Sequence, residues 1–292
     1  MADFPGLRTL LSDKPLTHVI GAHNPLSARL AEEAGFDGIW ASGFELSAAY
    51  AVPDASILSM TQHLEMTRAI CQTVSIPVVA DIDTGYGNAI NVIHAVRAYQ
   101  AAGAAAVVME DKRFPKDTSL LEGGRQELLD RGAFCGKIDA AVNRRANEDF
   151  LVIARTEALI AGLGQEEAMT RAEAYVDAGA DAVLIHSKSK TPDEIVSFAE
   201  RWSRNVPLVI VPTAYPQLTE AKIAELSKIR MVIYGNHGIR AAVTAMADTF
   251  ARIRADGGIH NVDKTIVPVT RIFELQRVAE MKQDEARFVR DA

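Results

Sequence analysis

Pro77-Val-Val-Ala-Asp81-Ile-Asp-Thr-Gly-Tyr-Gly87 carries the pattern on which the fold turns. Its first four residues form an apolar run without polar alternation, the mark of a strand buried on both faces, as in a parallel sheet covered by helices. The run then meets two carboxylates and a glycine-rich turn. The form recurs at Thr17–Gly21, Gly38–Ala41, Ala105–Met109, Phe150–Ala154, Ala182–Ile185, Pro207–Val211 and Met231–Tyr234. Amphipathic segments lie between these runs. Thr61 can cap one that continues through His63, Leu64, Met66 and Ile70. Gln165–Ala178 is another, with Ala168, Ala172 and Tyr175 at helical spacing. Three segments end alike, in Glu33-Ala-Gly-Phe-Asp37, Ala101-Ala-Gly-Ala-Ala105 and Asp177-Ala-Gly-Ala-Asp181. Each phrase puts a glycine where a helix C-terminus turns left-handed, and a strand follows at once. One helix-to-strand unit has been iterated.

Eight such strands alternating with helices predict an α/β fold, a closed (β/α)8 TIM-type barrel, with residues 1–292 as a single domain. An open doubly wound sheet would call for a Gly-x-Gly-x-x-Gly after a strand, and none is present. The connections at 43–60 and 111–126 exceed the usual length, and long loops inside a compact domain are generally functional. Beyond Asn236 two further helical patterns, Ile239–Ala255 and Val269–Arg287, give one helix more than a barrel needs. This predicts packing against another subunit.

Bulk properties exclude several classes of function. The formal net charge is −7 and the pI about 5.6, which argues against a nucleic-acid partner or an anionic membrane. An anionic substrate must then be held by local cations or a metal. Only Cys71 and Cys135 occur, too few for a disulfide framework or a metal finger, and this composition suits a reducing cytoplasm. The start of the chain lacks the basic and continuously apolar segments of a signal peptide. No apolar stretch approaches the roughly 20 residues of a membrane span. The expectation is a cytoplasmic protein with a small-molecule substrate.

Chemistry collects just after the strands. His23 and Asn24 follow the first, Ser42, Gly43 and Phe44 the second, Asp81 and Asp83 the third, and Glu110, Asp111 and Lys112 the fourth. Arg155 and Glu157, His186 and Ser187, Pro212 and Thr213, and Asn236 and His237 complete the circuit. In a (β/α)8 barrel these positions converge on one rim, where such enzymes keep their active sites. Residues two apart on a strand share a side, so Asp81 and Asp83 would both face the mouth. An isolated Asp most often caps a helix. Asp81, Asp83 and Glu110 together, with no His or Cys among them, point to a hard cation such as Mg2+ or Mn2+. Arg155 can grip a carboxylate or phosphoryl group with two parallel hydrogen bonds. His63, His94 and Cys71 fall mid-helix and read as packing or surface residues, and His18 and His260 carry no motif. The 111–126 connection, with Arg113, Lys116, Thr118, Ser119, Gly123 and Gly124, reads as a gating loop that closes over an anion.

These motifs resemble the phosphoenolpyruvate mutase/isocitrate lyase superfamily over nearly the whole chain. The resemblance rests on Gly21-Ala-His-Asn24, Trp40-Ala-Ser-Gly43, Asp81-Ile-Asp-Thr-Gly-Tyr-Gly-Asn88, Glu110-Asp-Lys-Arg-Phe-Pro-Lys116, Ile153-Ala-Arg-Thr-Glu157 and Ile185-His-Ser187. It implies a Mg2+ enzyme of α-keto acids or their enols, with Mn2+ or Co2+ able to substitute. It also implies a homo-oligomer, usually a tetramer built as a dimer of dimers, with a C-terminal helix swapped between subunits. Asp81 matches the direct metal ligand, and Asp54, Asp83 and Glu110 match acids that hold metal-bound waters. Ser42, Gly43 and Phe44 match the segment that holds the substrate carboxylate. Arg155 and His186 match groups on the transferring or developing charge, and Lys116 and Thr118 fall on the gating loop. The lyase branches carry Lys-Lys-Cys-Gly-His where this chain has Lys112-Arg-Phe-Pro-Lys116, without the Cys that protonates a departing carbanion. The mutase branch has Asn two residues after the loop Lys, where this chain has Thr118. Lys116-Asp-Thr-Ser119 resembles the branch that hydrolyses phosphonopyruvate. The alternatives are phosphoryl transfer by a mutase, oxaloacetate or 2-methylisocitrate lyase chemistry, and a non-catalytic barrel that binds a keto acid.

Overall fold

The iterated phrase at the three helix ends shows how local sequence builds the barrel. The computed structural model describes residues 5–290, so the outer limits of the expected 1–292 span lie outside the described residues. Gly35, Gly103 and Gly179 adopt φ of +87°, +96° and +100°. In each copy the residue after the glycine donates back into the helix: Phe36 to Ala31, Ala104 to Tyr99 and Ala180 to Tyr175. The next N–H then joins the preceding strand, Asp37 to His18, Ala105 to Val78 and Asp181 to Val152. Asp37 and Asp181 also return a carboxylate oxygen to the same strand, to His18 N at 2.9 Å and Val152 N at 2.8 Å. A left-handed glycine thus satisfies the last helical carbonyls and seats the next strand in one turn.

The strands are β1 (Thr17–Ala22), β2 (Gly38–Ala41), β3 (Val78–Asp81), β4 (Ala106–Glu110), β5 (Leu151–Thr156), β6 (Ala182–Ile185), β7 (Leu208–Ile210) and β8 (Ile229–Tyr234). They pair in chain order, all parallel, and β8 closes on β1, giving the expected (β/α)8 barrel. The helices run α1 (Leu7–Asp13), α2 (Pro25–Glu33), α3 (Gly43–Ala49), α4 (Met60–Cys71), α5 (Ala89–Ala101) and α6 (Arg131–Arg144). They continue with α7 (Gly164–Asp177), α8 (Asp193–Arg201), α9 (Glu220–Glu225), α10 (His237–Asp256), α11 (Val269–Leu275) and α12 (Val278–Phe288). Inside the barrel Val19, Trp40, Val79, Val108, Ile153 and Leu184 pack with Leu7 and Leu11 of α1. Arg230, at the start of β8, donates to the Leu11, Ser12 and Lys14 carbonyls, so α1 closes the strand N-terminal end. Outside, helices bury one face on the strands. Ile195, Phe198 and Trp202 on and just after α8 are almost fully buried, each worth about 1.5–3 kcal/mol of transfer free energy.

Three local expectations are corrected. Ser59, not Thr61, caps α4, because Gln62 three residues on reaches back to Ser59 N at 3.0 Å and closes a capping box; Leu64, three after Thr61, has no such group. The 43–60 connection is partly helical, holding α3. The pattern Val269–Arg287 is broken into α11 and α12 at Arg277, whose φ is +54°.

The chain falls into two compact units, the first ending at Ile239 and the second beginning at Arg240. The first contains the whole barrel. In the second, Val243, Phe250, Phe273, Met281 and Phe288 are exposed. Among the described residues no helix is long and apolar enough to cross a membrane.

Candidate functional site

Strand register puts the chemistry on one rim. Glu110, the last residue of β4, stands beside Arg155 of β5, and Arg155 Nε lies 3.4 Å from Glu110 Oε2. Asp81 ends β3, and its carboxylate accepts from Gly43 N at 3.3 Å and Asp83 N at 3.2 Å. Gly43 opens α3, with Ser42 as cap accepting from Glu45 N at 3.2 Å. A Cβ at Gly43 would come within 3.0 Å of Asp83 Oδ1 and 3.3 Å of Asp81 Oδ2, which explains the glycine. Glu45 is fully buried; it meets His23 Nδ1 at 3.0 Å and Ile239 N at 3.4 Å, which ties α3 to its neighbours.

Asp83 reaches the rim by another route than the alternation expected of a strand. β3 stops at Asp81, and Asp83 lies beyond it with φ of +49°. The turn continues through Gly85 at φ +85°, where a Cβ would strike Val92 and Met109 at 2.6 and 2.7 Å. Asp54 comes from the 43–60 connection. Lys116 enters from 111–126 and is almost fully buried among these acids, with Nζ at 2.7 Å from Asp83 Oδ1, 3.1 Å from Asp54 Oδ1 and 3.9 Å from Glu110 Oε1. The carboxylates therefore gather about an ammonium. Among the described residues no three Asp, Glu, His or Cys side chains stand at metal-ligand spacing.

The electrostatics of this cluster are strained. Burial pushes the Asp81 carboxyl up, against the pull of Lys116 and Arg155. Burial likewise pushes Asp83 up to about 7, with Lys116 lowering it and Asp81, Asp54 and Glu110 raising it. Burial also opposes the charge on Lys116, but Asp54, Asp83, Glu110 and Asp81 hold it well above the usual lysine value. Both Glu110 oxygens are buried without a hydrogen-bond partner among the described residues. The same holds for Asp83 Oδ1, which Lys116 meets as an ion pair outside hydrogen-bond geometry. Surplus negative charge and orphaned hard oxygen donors suit a divalent cation of the Mg2+ type.

A second cluster forms around Glu157, which is fully buried. Arg155 Nε lies 2.5 Å and His186 Nδ1 2.9 Å from its Oε1, and Lys112 Nζ lies 3.2 Å from its Oε2. Burial works against this charge, yet Arg155, His186 and Lys112 hold the Glu157 carboxyl well below the usual range. Burial, then Arg155, pushes the His186 imidazole down, and Glu157 opposes that shift. His186 Nδ1 also meets Arg155 Nη2 at 2.8 Å. A neutral ring nitrogen either donates or accepts, so only one of these two contacts is a hydrogen bond in a given tautomer. Beneath, buried Asp111 fixes the Glu157 backbone, accepting from Glu157 N at 2.9 Å and from Tyr175 Oη at 2.6 Å.

A cavity of about 70 Å³ joins the clusters, lined by Ser42, Asp81, Lys116, Thr118, Arg155 and His186, with Phe44 and Asp54 at its wall. Of the expected residues, Gly43, Asp83 and Glu110 are not among those that line it. The space is far below the ~300–1,000 Å³ of drug-sized sites and suits a small substrate. A larger groove of about 420 Å³ lies among Arg8, Asp181 and Arg230. Its arginines are held by Asp181 or backbone carbonyls, so size does not select the site. Residue-type reasoning put Ser119 on the gating loop and Lys112 at a strand end, but missed that both close on Glu157. The only available signals were a hydroxyl inside the long loop and opposite charges on adjacent strand ends.

Residues 7–254 match the phosphoenolpyruvate phosphomutase family. The chain is 63% identical to a phosphonopyruvate hydrolase of Variovorax sp. (strain Pal2), over 97% of this chain and 98% of that one. A crystal structure of phosphonopyruvate hydrolase in complex with oxalate and Mg2+ superposes with a TM-score of 0.94 at 61% identity, covering 99% of this chain and 100% of that one. A phosphoenolpyruvate phosphomutase from Streptomyces platensis subsp. rosaceus gives a TM-score of 0.95 at 51% identity, covering 97% and 98%. Backbone likeness does not separate hydrolase from mutase, whereas sequence likeness does. The chain belongs to the phosphoenolpyruvate phosphomutase family.

Proposed function

Starting from membership of that family, we propose that the chain hydrolyses the phosphorus–carbon bond of 3-phosphonopyruvate to pyruvate and phosphate. The observation that carries this reading is Thr118, which lines the cavity with Arg155 and His186 at the loop position where the mutase branch has Asn. An Asn amide is a poor nucleophile, whereas a hydroxyl can orient a water or attack phosphorus itself. The 63% identity to a phosphonopyruvate hydrolase supports the same choice.

In this reading Ser42, Gly43 and Phe44 take the substrate carboxylate, and Arg155 and His186 take the phosphoryl oxygens. Glu157 braces the guanidinium from behind, so Arg155 loses little freedom on binding. Asp81 holds Mg2+ directly, and Asp54, Asp83 and Glu110 hold its waters; Mn2+ or Co2+ can replace it. When bound, the metal supplies Lewis acidity for the charge that develops on the leaving pyruvate enolate. The nucleophile, water or the Thr118 hydroxyl, gives up its proton and forms a bond to phosphorus as the phosphorus–carbon bond breaks. The electron pair passes to the enolate, which then takes a proton at carbon. Where the nucleophile is Thr118, a water then cleaves the phosphothreonine ester, which releases phosphate and restores the hydroxyl. Lys116 and Thr118 ride on 111–126, a lid whose closure limits the cavity to substrate and one nucleophile.

The assembly belongs to the same proposal: a cytoplasmic homotetramer, a dimer of dimers with its C-terminal helix exchanged. The exposed apolar residues of the second unit support exchange, and the unpaired Cys71 and Cys135 support a reducing compartment. Incubation with phosphonopyruvate and Mg2+, followed by phosphorus NMR, tests the activity. Phosphate with pyruvate is the expected outcome; phosphoenolpyruvate would assign the chain to the mutases instead.

A further inference from the structure

We infer that Ser119 is the latch of the 111–126 lid and the positioning residue that sets Thr118 and Arg155 together. The neck of the loop is held by backbone: Asp111 N to Arg155 O, Arg113 N to Glu127 O and Leu129 N to Asp111 O. Side-chain changes leave those bonds in place. Among the side chains that tie down its crown, two reach the charged clusters of the rim. Lys116 is one, among Asp54, Asp83 and Glu110, and Ser119 is the other.

Ser119 is buried, and its hydroxyl is saturated. It donates to Glu157 Oε2 at 2.6 Å and accepts from Lys112 Nζ at 2.7 Å and Arg155 Nη2 at 2.9 Å. One donor and two lone pairs are all a serine hydroxyl has, and all three partners are charged, which strengthens each bond. Lys112 Nζ also donates to the Asp117 carbonyl at 2.8 Å. A single buried ammonium therefore holds the residues on both sides of Thr118. Glu157 divides its carboxylate between the two tasks. Oε1 faces Arg155 and His186, while Oε2 faces Ser119 and Lys112. Opening the lid removes a partner from Arg155 and from Glu157 at once, so lid closure and the grip on an anion are one event.

The inference rests on the reading of 111–126 as a lid and of Thr118 as its working residue. Losing a hydrogen bond to a charged group changes an equilibrium by roughly 10- to 100-fold. In the full chain with Mg2+ and oxalate, Ser119→Ala should therefore speed amide exchange across 112–126 by about tenfold or more. Exchange in β4 and β5 should stay unchanged, which shows that the variant is folded. Ser119→Thr, which keeps the hydroxyl, should restore protection. Phosphate release by Ser119→Ala should fall about tenfold or more in kcat. In a Thr118→Ala background the same change should cost less than about twofold, because residues acting through one another are non-additive. Unaltered loop exchange in Ser119→Ala overturns the latch, and fully multiplicative losses overturn its action through Thr118. If the wild-type chain releases no phosphate, the proposed activity fails, while loop exchange still tests the latch.

Discussion

The Lys116 cluster and the Glu157 cluster lie on the same rim, share Arg155 as a neighbour, and are built in opposite senses. Around Lys116 the acids Asp54, Asp81, Asp83 and Glu110 outnumber the cations, and Asp83 is pushed up to about 7 by burial and by its acidic neighbours. Around Glu157 one carboxylate serves Arg155, Lys112 and His186, and it stays well below the usual range despite its burial. Burial opposes the charges on Asp81, Asp83, Lys116, Arg155 and Glu157 alike; the sign of the neighbours decides the outcome. The first cluster is short of positive charge and ready for a divalent cation. The second is compensated internally and leaves the outer face of Arg155 for an anion. Thr118 lines the cavity between them.

The largest effect should come from the charge-deficient side. EDTA should abolish phosphate release, added Mg2+ should restore it, and Asp81→Ala should leave a folded protein without activity by circular dichroism and a coupled assay. Full turnover in a metal-stripped sample breaks the contrast at its root. Next, Thr118→Ala should lower kcat by roughly 10²–10⁴-fold while substrate still binds, the usual cost of losing a positioned proton-transfer partner. Thr118→Ser should keep most of the rate, and a change of only a few-fold in Thr118→Ala would reduce the residue to a surface cap.

Two smaller effects, of opposite sign, test the comparison directly by urea unfolding of the metal-free protein. Glu157→Gln removes the carboxylate that both Arg155 and Lys112 pair with and should destabilise by about 3–5 kcal/mol. Asp83→Asn removes a charge that the folded state resists, together with one partner of Lys116, and should stabilise at pH 8 by less than the roughly 4 kcal/mol that the full rise to about 7 represents. The sign follows from linkage: a carboxyl whose folded pKa is raised binds protons more tightly in the folded state, so its ionised form costs stability above that pKa. Equal destabilisation by both changes would mean that the clusters do not differ in charge compensation.

What the sequence determined by itself was the local part of this protein. Unbroken apolar runs, glycines at Gly35, Gly103 and Gly179, and amphipathic spacing between them specify alternating strands and helices, and a right-handed repeat of that unit closes into a barrel. Closure in turn gathers every residue that follows a strand, so Ser42, Asp81, Glu110, Arg155 and His186 were legible before any contact was known. Resemblance of motifs extended that reading to Asp54 and Thr118. Tertiary structure alone decided the rest. Lys116 enters the acids, Ser119 locks onto Glu157, Asp83 arrives through a left-handed turn beyond its strand, and α1 closes the barrel's other end. These depend on where a long loop or a terminal helix comes to lie. Periodicity and capping act over a turn or two of chain, whereas a buried ion pair takes its strength from burial and from partners many residues away.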